Sequence, residues 1–381
     1  MVDGDLKMCQ GKVVFLSAYH DYRTKKRASV HQLASGTKQL GYDVVFISLR
    51  YSLLSRFRGD SRLTLDARAN RIETVDGVQC FLWKTPFHPF ASQNPVLNGV
   101  MGMLFRPYAA WPNATFDRLI ADADFVIVEA SVAAVFLRRI RRRNPDARII
   151  YYGTDRLDTI GAHPAVSRRL GRDASLVAHV ALRSPKMAPD FAWAADRLYH
   201  AQFGIDPADF SEIGPSPYAK RPAAVSIGSM LFDASFFQAV APAFPDMDFH
   251  IIGSGSDFES PPNVHVHSEM PFRETLPYIA HAAVGIAPYR EAPGVDYLAD
   301  TSLKLAQYEY LGIPAVCPHF ATGGRKSRWG YDAGDPISMR QAFGDALEAG
   351  RGSVARSFPS WPEVARRVIH AVDYPETKIE V

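Results

Sequence analysis

The chain has 381 residues, 47% hydrophobic, 12% aromatic and 22% charged, the balance of a globular protein and not of a disordered or fibrous one. Three widely spaced cysteines, Cys9, Cys80 and Cys317, exclude a disulfide framework and a zinc knuckle, and no apolar run approaches the roughly 18 residues of a membrane span. The net charge of +3 divides unevenly: residues 1–200 hold 29 Lys+Arg against 18 Asp+Glu, and residues 201–381 hold 14 against 22, which suits a first half facing nucleic acid or an anionic membrane as well as it suits solvated helix faces.

The opening MVDGDLKMCQ carries acids where a signal peptide would be basic and then apolar, so a reducing cytosolic setting is expected. Short β-rich runs follow at Lys12–Ala18, Asp43–Leu49, Gln79–Trp83, Phe125–Ala130 and Arg148–Tyr152, with helical patterns at Lys26–Leu40, Ser131–Arg143 and Ala162–Leu170 and a further strand at Ser175–Leu182. The proline-rich segment 211–222 reads as a linker. Beyond it the alternation restarts: strands at Ala223–Gly228, Asp248–Gly253, Val264–Ser268, Val284–Tyr289 and Pro314–Cys317, helices at Ala234–Ala241, Glu274–Ala282, Ser302–Leu311 and Ser338–Glu348. Alternating strands and helices predict two doubly wound α/β domains, 1–210 and 223–358, whose ligand crevice lies beyond the carboxyl ends of the strands. Residues 359–381 are expected to form a C-terminal helix and tail able to return to the first domain.

Several motifs fail on spacing. Phe258 stands where the dinucleotide fingerprint begun by Gly253-Ser-Gly255 needs its third glycine, and Gly323–Ser327 lacks P-loop spacing. His265 and His267 share one strand face without a third ligand nearby in sequence, so no metal site is expected. The DxD triplets beginning at Asp122 and Asp246 precede their strands, which disfavours metal-dependent sugar transfer.

The segment Val284–Pro318 reads strand, loop, helix, strand. Asp300, Thr301 and Ser302 can cap its helix, and the free N–H groups there, with Lys304, fit a diphosphate as well as they fit an ordinary capped helix. Tyr289 at the strand end can lie against a base, and Gly228-Ser-Met230 lets backbone amides approach phosphate. Asp155, after the strand ARIIYY, fits a general base and a helix N-cap equally well on position alone. A surface stretch interleaves Arg50, Arg56, Arg58 and Arg62 with Leu53, Leu54 and Phe57, which predicts reversible attachment to an anionic membrane; a solvated basic loop and RNA binding are the alternatives.

Motifs along nearly the whole chain resemble glycosyltransferase family 70, the β-glucuronosyltransferases of xanthan- and acetan-type exopolysaccharide synthesis. They are SxxHDxRTxxRA from Ser17, ISLRYS at Ile47 followed by LSRFRGD, IGSMLFD at Ile227, HIIGSG at His250, GIAPY at Gly285, YLADTSLKLAQY at Tyr297, and PAVCP followed by KSRWGY. The resemblance implies a GT-B fold, two Rossmann-like domains facing a cleft, and inverting transfer from UDP-glucuronate, a substrate and not a cofactor, to a mannose of a lipid-linked oligosaccharide. It also implies a peripheral position on the cytoplasmic face of the inner membrane, with no nucleic-acid partner. By motif, Met230, Glu269, Tyr289, Ser302, Lys304 and Gln307 form the implied UDP-binding set and Asp155 the implied base, with Glu129 in reserve. No metal is implied. The Ex7E pair of retaining enzymes would fall at Ala299 and Gln307, neither acidic. A GT-B UDP-sugar epimerase and a non-catalytic assembly factor are the competing readings.

Overall fold

In a computed structural model describing residues 10–24, 27–58, 60–219, 221–255, 257–352 and 357–380, without the side chain of Arg58, the chain forms two units. Unit 1 comprises Met1–Gln202 and Ser360–Val381, and unit 2 is Phe203–Pro359.

The sheet of unit 1 contains β1 (Lys12–Ser17), β2 (Asp43–Ser52), β3 (Ile72–Val75), β4 (Val78–Thr85), β5 (Phe125–Glu129), β6 (Arg148–Gly153), β7 (His179–Leu182) and β8 (Leu198–His200). The strands lie in the order β3-β4-β2-β1-β5-β6-β7-β8, parallel throughout except for the β3/β4 hairpin. Central parallel strands are covered on both faces, which is why β1 and β5 read as unbroken apolar runs; Val13–Leu16 and Val126–Val128 expose nothing. Each buried phenylalanine such as Phe15 or Phe46 contributes roughly 2–3 kcal/mol by leaving water. β1 has β2 on one side and β5 on the other, so the strand order reverses there and the residues following β1, β5 and β6 gather at one crevice.

Helix Trp361–Ile369, capped by the Ser360 side chain, packs on helix Ser29–Gln39 of the same unit. Gly36 permits the contact: a Cβ there would sit 2.5 Å from the Trp361 carbonyl.

Unit 2 contains β9 (Ala223–Ile227), β10 (Asp248–Ile252), β11 (Val264–His267), β12 (Val284–Ile286), β13 (Ala315–Pro318) and β14 (Arg328–Tyr331), in the order β11-β10-β9-β12-β13-β14 and wholly parallel. Its core packs Phe236, Phe237, Phe249, Ile286 and Phe343. The strand order reverses between β9 and β12.

Four expectations change. Residues 203–222 belong to unit 2, not to a first domain ending at 210 and a free linker at 211–222: Ile205 N donates to Pro359 O (3.0 Å), Phe210 packs on Phe272 and Tyr310, and Tyr218 packs on Tyr278. The strand expected over Ser175–Leu182 begins only at His179, because Ala174–Leu176 forms a 3-10 turn. The strand expected to reach Tyr289 stops at Ile286, and Tyr289 instead bridges Phe232. No helix begins near Leu157, so Asp155 does not act as its N-cap. Lys26, expected to start the first helix, lies outside the described residues.

Candidate active site

At the carboxyl end of the second sheet, two loops are laced together. Gly228, after β9, has φ +86°, a left-handed conformation natural only to glycine. It turns the chain so that Asp233 N reaches Pro288 O (2.9 Å) and Arg290 N reaches Leu231 O (2.7 Å), which joins the Met230 loop to the Tyr289 loop. Met230 is exposed on this lacing. Glu269, exposed two residues after β11, lies beside Gly253 at the end of β10, whose absent Cβ would stand 3.4 Å from the Glu269 Cα.

The helix Leu303–Tyr310 brings its N-terminus to the same end. Ser302 is the cap: its Oγ accepts from Leu305 N (3.3 Å) and lies 2.6 Å from the hydroxyl of Tyr289. Asp300 and Thr301 belong to the separate turn Leu298–Thr301 and do not cap this helix. Lys304, only 9% exposed, stands 5.1 Å over the Tyr289 ring and makes no hydrogen bond among the described residues. Burial holds its ammonium down to about 7. Gln307, one turn on and buried, shares its face. Tyr289 is itself buried, so its ring backs Lys304 and is not open for a base to stack on in this conformation.

Sequence reasoning passed over the groups that fix this helix. Glu309 is buried and pairs with Arg328 (3.2 Å), whose guanidinium also donates to the carbonyls of Ala299 and Ala321. Arg325 lies 3.5 Å from both Glu309 and Asp300. The segment Gly323–Ser327, read as a basic loop, thus ties the approach to Ser302 in place. The acids and bases were visible in sequence; their pairing across strands was not.

In unit 1, Glu129 ends β5 with 3% exposure. The Ser17 hydroxyl, from the end of β1, donates to its Oε2, and the Oε1 lies 3.8 Å from His20 Nε2. Burial pushes the Glu129 carboxyl up to about 8; the Ser17 hydroxyl opposes this and the negative charge of Asp155 adds to it. Asp155, half-buried just past β6, is therefore an electrostatic neighbour of Glu129. At neutral pH the Glu129 carboxyl therefore largely keeps its proton. In the same motif Asp21 is buried against Arg23 (2.8 Å), so the His-Asp-x-Arg pattern is partly architectural.

The expected membrane-facing set divides. Phe57 is 86% exposed and Leu53 and Arg56 are exposed beside it, whereas Arg50 and Leu54 are half-buried. Arg62 is not a surface cation: it is 1% exposed, pairs with Asp60 (2.7 Å) and donates to Leu49 O and Arg50 O. The side chain of Arg58 lies outside the described residues. Helix Pro95–Ala110, which the sequence reading did not find, turns Val96, Val100 and Met103 outward on one face, with exposed Trp111 just beyond it.

The profile described as "Glucuronosyltransferase GumK, N-terminal domain" matches residues 15–183. The UDP-glucuronate:glycolipid 2-beta-glucuronosyltransferase of Xanthomonas campestris pv. campestris is 40% identical over 363 residues, 94% of this chain and 90% of its own. The chain belongs to the GumK family of glucuronosyltransferases. Among solved structures, trehalose-6-phosphate synthase OtsA matches with a TM-score of 0.61 at 10% identity, covering 97% of this chain and 96% of its own. Sucrose-phosphate synthase from Thermosynechococcus elongatus matches with a TM-score of 0.58 at 12% identity, covering 95% and 94%. The UDP-GlcNAc 2-epimerase from Neisseria meningitidis matches at 0.54 and 8%, covering 95% and 100%. At these identities the likeness speaks for the fold: this GumK-family chain has the GT-B architecture, two parallel-sheet α/β units.

Proposed function

We propose that the chain transfers glucuronate, with inversion, from UDP-glucuronate to a mannose of a lipid-linked oligosaccharide in exopolysaccharide synthesis. The observation that carries the donor half is Lys304: a cation buried without a hydrogen-bond partner at a helix N-terminus is completed by an anion, and the diphosphate of a UDP-sugar supplies one. Glucuronate and glycolipid come from the activity named for the 40% identical relative.

In this reading Met230, Glu269, Tyr289, Ser302, Lys304 and Gln307 hold UDP, with the exposed carboxylate of Glu269 accepting from ribose hydroxyls. The Asp155 carboxylate takes the proton of the acceptor hydroxyl as that oxygen attacks the anomeric carbon. The bond from that carbon to the β-phosphate oxygen breaks, and its electron pair leaves on UDP. The charge growing on the diphosphate meets the helix N-terminus and Lys304, so that no divalent metal is required for the step.

The lipid-linked acceptor calls for a position on the cytoplasmic face of the inner membrane. Two features of unit 1 support one. Phe57 and Leu53 stand exposed beside Arg56, and the C-terminal end of helix Pro95–Ala110 lines a cavity of about 820 Å³ that Arg106, Arg141, Arg142, Arg169 and Arg172 surround together with the Arg138–Asp173 pair. Apolar side chains that can enter a bilayer beside a cluster of cations match an anionic lipid surface.

The test is transfer of labelled glucuronate from UDP-glucuronate to a mannose-terminated lipid-linked oligosaccharide. Acceptor-dependent label in the lipid fraction is expected. Conversion of the UDP-sugar without acceptor would replace the reading by an epimerase, and no turnover of either kind would leave an assembly factor.

A further inference from the structure

On the second sheet, away from the β9/β12 reversal, four polar side chains meet on one face. Asp248 and His250 alternate along β10, His265 and His267 along the edge strand β11, and the parallel register sets His250 opposite His265 and Ile252 opposite His267. Residues two apart on a strand share a face, so this register gathers all four on one side. On the opposite side, Phe249, Ile251 and Val264 enter the core.

The contacts are close. His265 Nε2 is 3.5 Å from Asp248 Oδ1, the His250 and His265 rings stand 4.8 Å apart, and His250 Nδ1 is 2.9 Å from His267 Nε2. Asp248, His250 and His265 each offer a ligand atom, and these atoms lie within 4.8 Å of one another. Tyr218 and Tyr278 cover His250 at 4.9 and 5.7 Å, and the exposed Arg221 reaches Asp248 only at 3.9 Å.

We propose that Asp248, His250 and His265 bind one divalent transition-metal ion of the zinc class, clamping the edge strand β11 to β10. Two imidazoles and a carboxylate suit Zn²⁺ or Co²⁺, with water in the fourth position. Ligand atoms about 2.0–2.1 Å from zinc stand roughly 3.3 Å apart in a tetrahedral shell, so the cluster closes by side-chain rotations on the order of 1 Å. The contact to His267 then holds the His250 ring from behind, as an outer hydrogen bond does for most metal-bound histidines. The ion takes no part in glucuronosyl transfer; it fixes the strand that leads to Glu269.

The full chain, stripped of metal by chelation and desalted, is titrated with zinc chloride by calorimetry and with cobalt chloride by visible absorption. One equivalent per chain, with the d–d bands of four-coordinate Co²⁺ and slower hydrogen exchange of the β11 amides on zinc addition, is expected. His265→Ala, at an exposed position, should lose that equivalent, and His267→Gln should weaken it about 10–100-fold. Binding of the same stoichiometry and affinity in His265→Ala, or no bound equivalent in the parent chain, would overturn the site and leave a stack of packed imidazoles.

Discussion

The ammonium of Lys304 lies 5.1 Å over the ring of Tyr289, and the hydroxyl of that tyrosine is held 2.6 Å from the helix-capping Ser302. One aromatic residue thus connects a buried cation to the helix end it accompanies. Burying that cation without a hydrogen-bond partner costs the folded chain stability.

The first consequence concerns stability. Lys304 is held at about 7 in the folded chain against 10.5 for an ordinary lysine, so between those values the unfolded chain binds more protons and stability rises with pH. Lys304→Met should therefore stabilise the ligand-free protein at pH 7 by roughly 2–4 kcal/mol, with the gain shrinking toward pH 10. Lys304→Ala should lose roughly 2–4 kcal/mol of transition-state stabilisation. Denaturant midpoints across pH and kcat/KM for UDP-glucuronate measure the two effects, and an unchanged rate would remove Lys304 from the site.

A second consequence concerns binding. On the proposed reading a diphosphate beside Lys304 favours its charged form, so UDP binding should take up a proton. Affinity should fall as pH rises past about 7, by up to about tenfold per unit, and Lys304→Met should lack that fall. Calorimetric titration in buffers of differing protonation enthalpy reads the proton directly.

The two carboxyls of unit 1 separate by substitution. Asp155→Asn should keep fold and UDP affinity while losing about 10²-fold or more in kcat. Glu129→Gln preserves shape and removes an acid held at about 8, whose ionisation costs the folded state as pH climbs from 4.5 toward 8. That variant should be more stable than the parent at pH 8, equal to it near pH 4, and active. An active Asp155→Asn beside an inactive Glu129→Gln would reverse the roles.

Vesicle sedimentation tests the lipid surface. Phe57→Ser and the triple change Val96→Ser, Val100→Ser, Met103→Ser should each reduce binding to anionic vesicles with no loss of thermal stability, since all four side chains are exposed. Arg62→Ala should instead destabilise the fold by roughly 3 kcal/mol or more, because it strands Asp60 and two backbone carbonyls. Equal sedimentation of every variant would refute the surface.

Periodicity made most strands legible in the sequence, because a buried parallel strand is an apolar run of the right length. Helix Pro95–Ala110 escaped for the opposite reason: its outward face is apolar too, so no amphipathic rhythm marks it. β3 was missed although Asp76-Gly77, both at positive φ, is a two-residue hairpin signal between Val75 and Val78. At the sites, what failed was everything that depends on register. Arg62 looked like its exposed neighbours until Asp60 and two carbonyls of β2 enclosed it, and His265 and His267 looked isolated until β10 brought Asp248 and His250 beside them.

The closing segment Ser360–Val381 belongs with unit 1, whose first stretch ended at Gln202. In a nascent chain unit 2 therefore emerges ahead of the helix that fits against Gly36. The first unit to begin is the last to finish, and a chain ended just before Trp361 would keep unit 2 whole while leaving an open apolar face on the helix Ser29–Gln39.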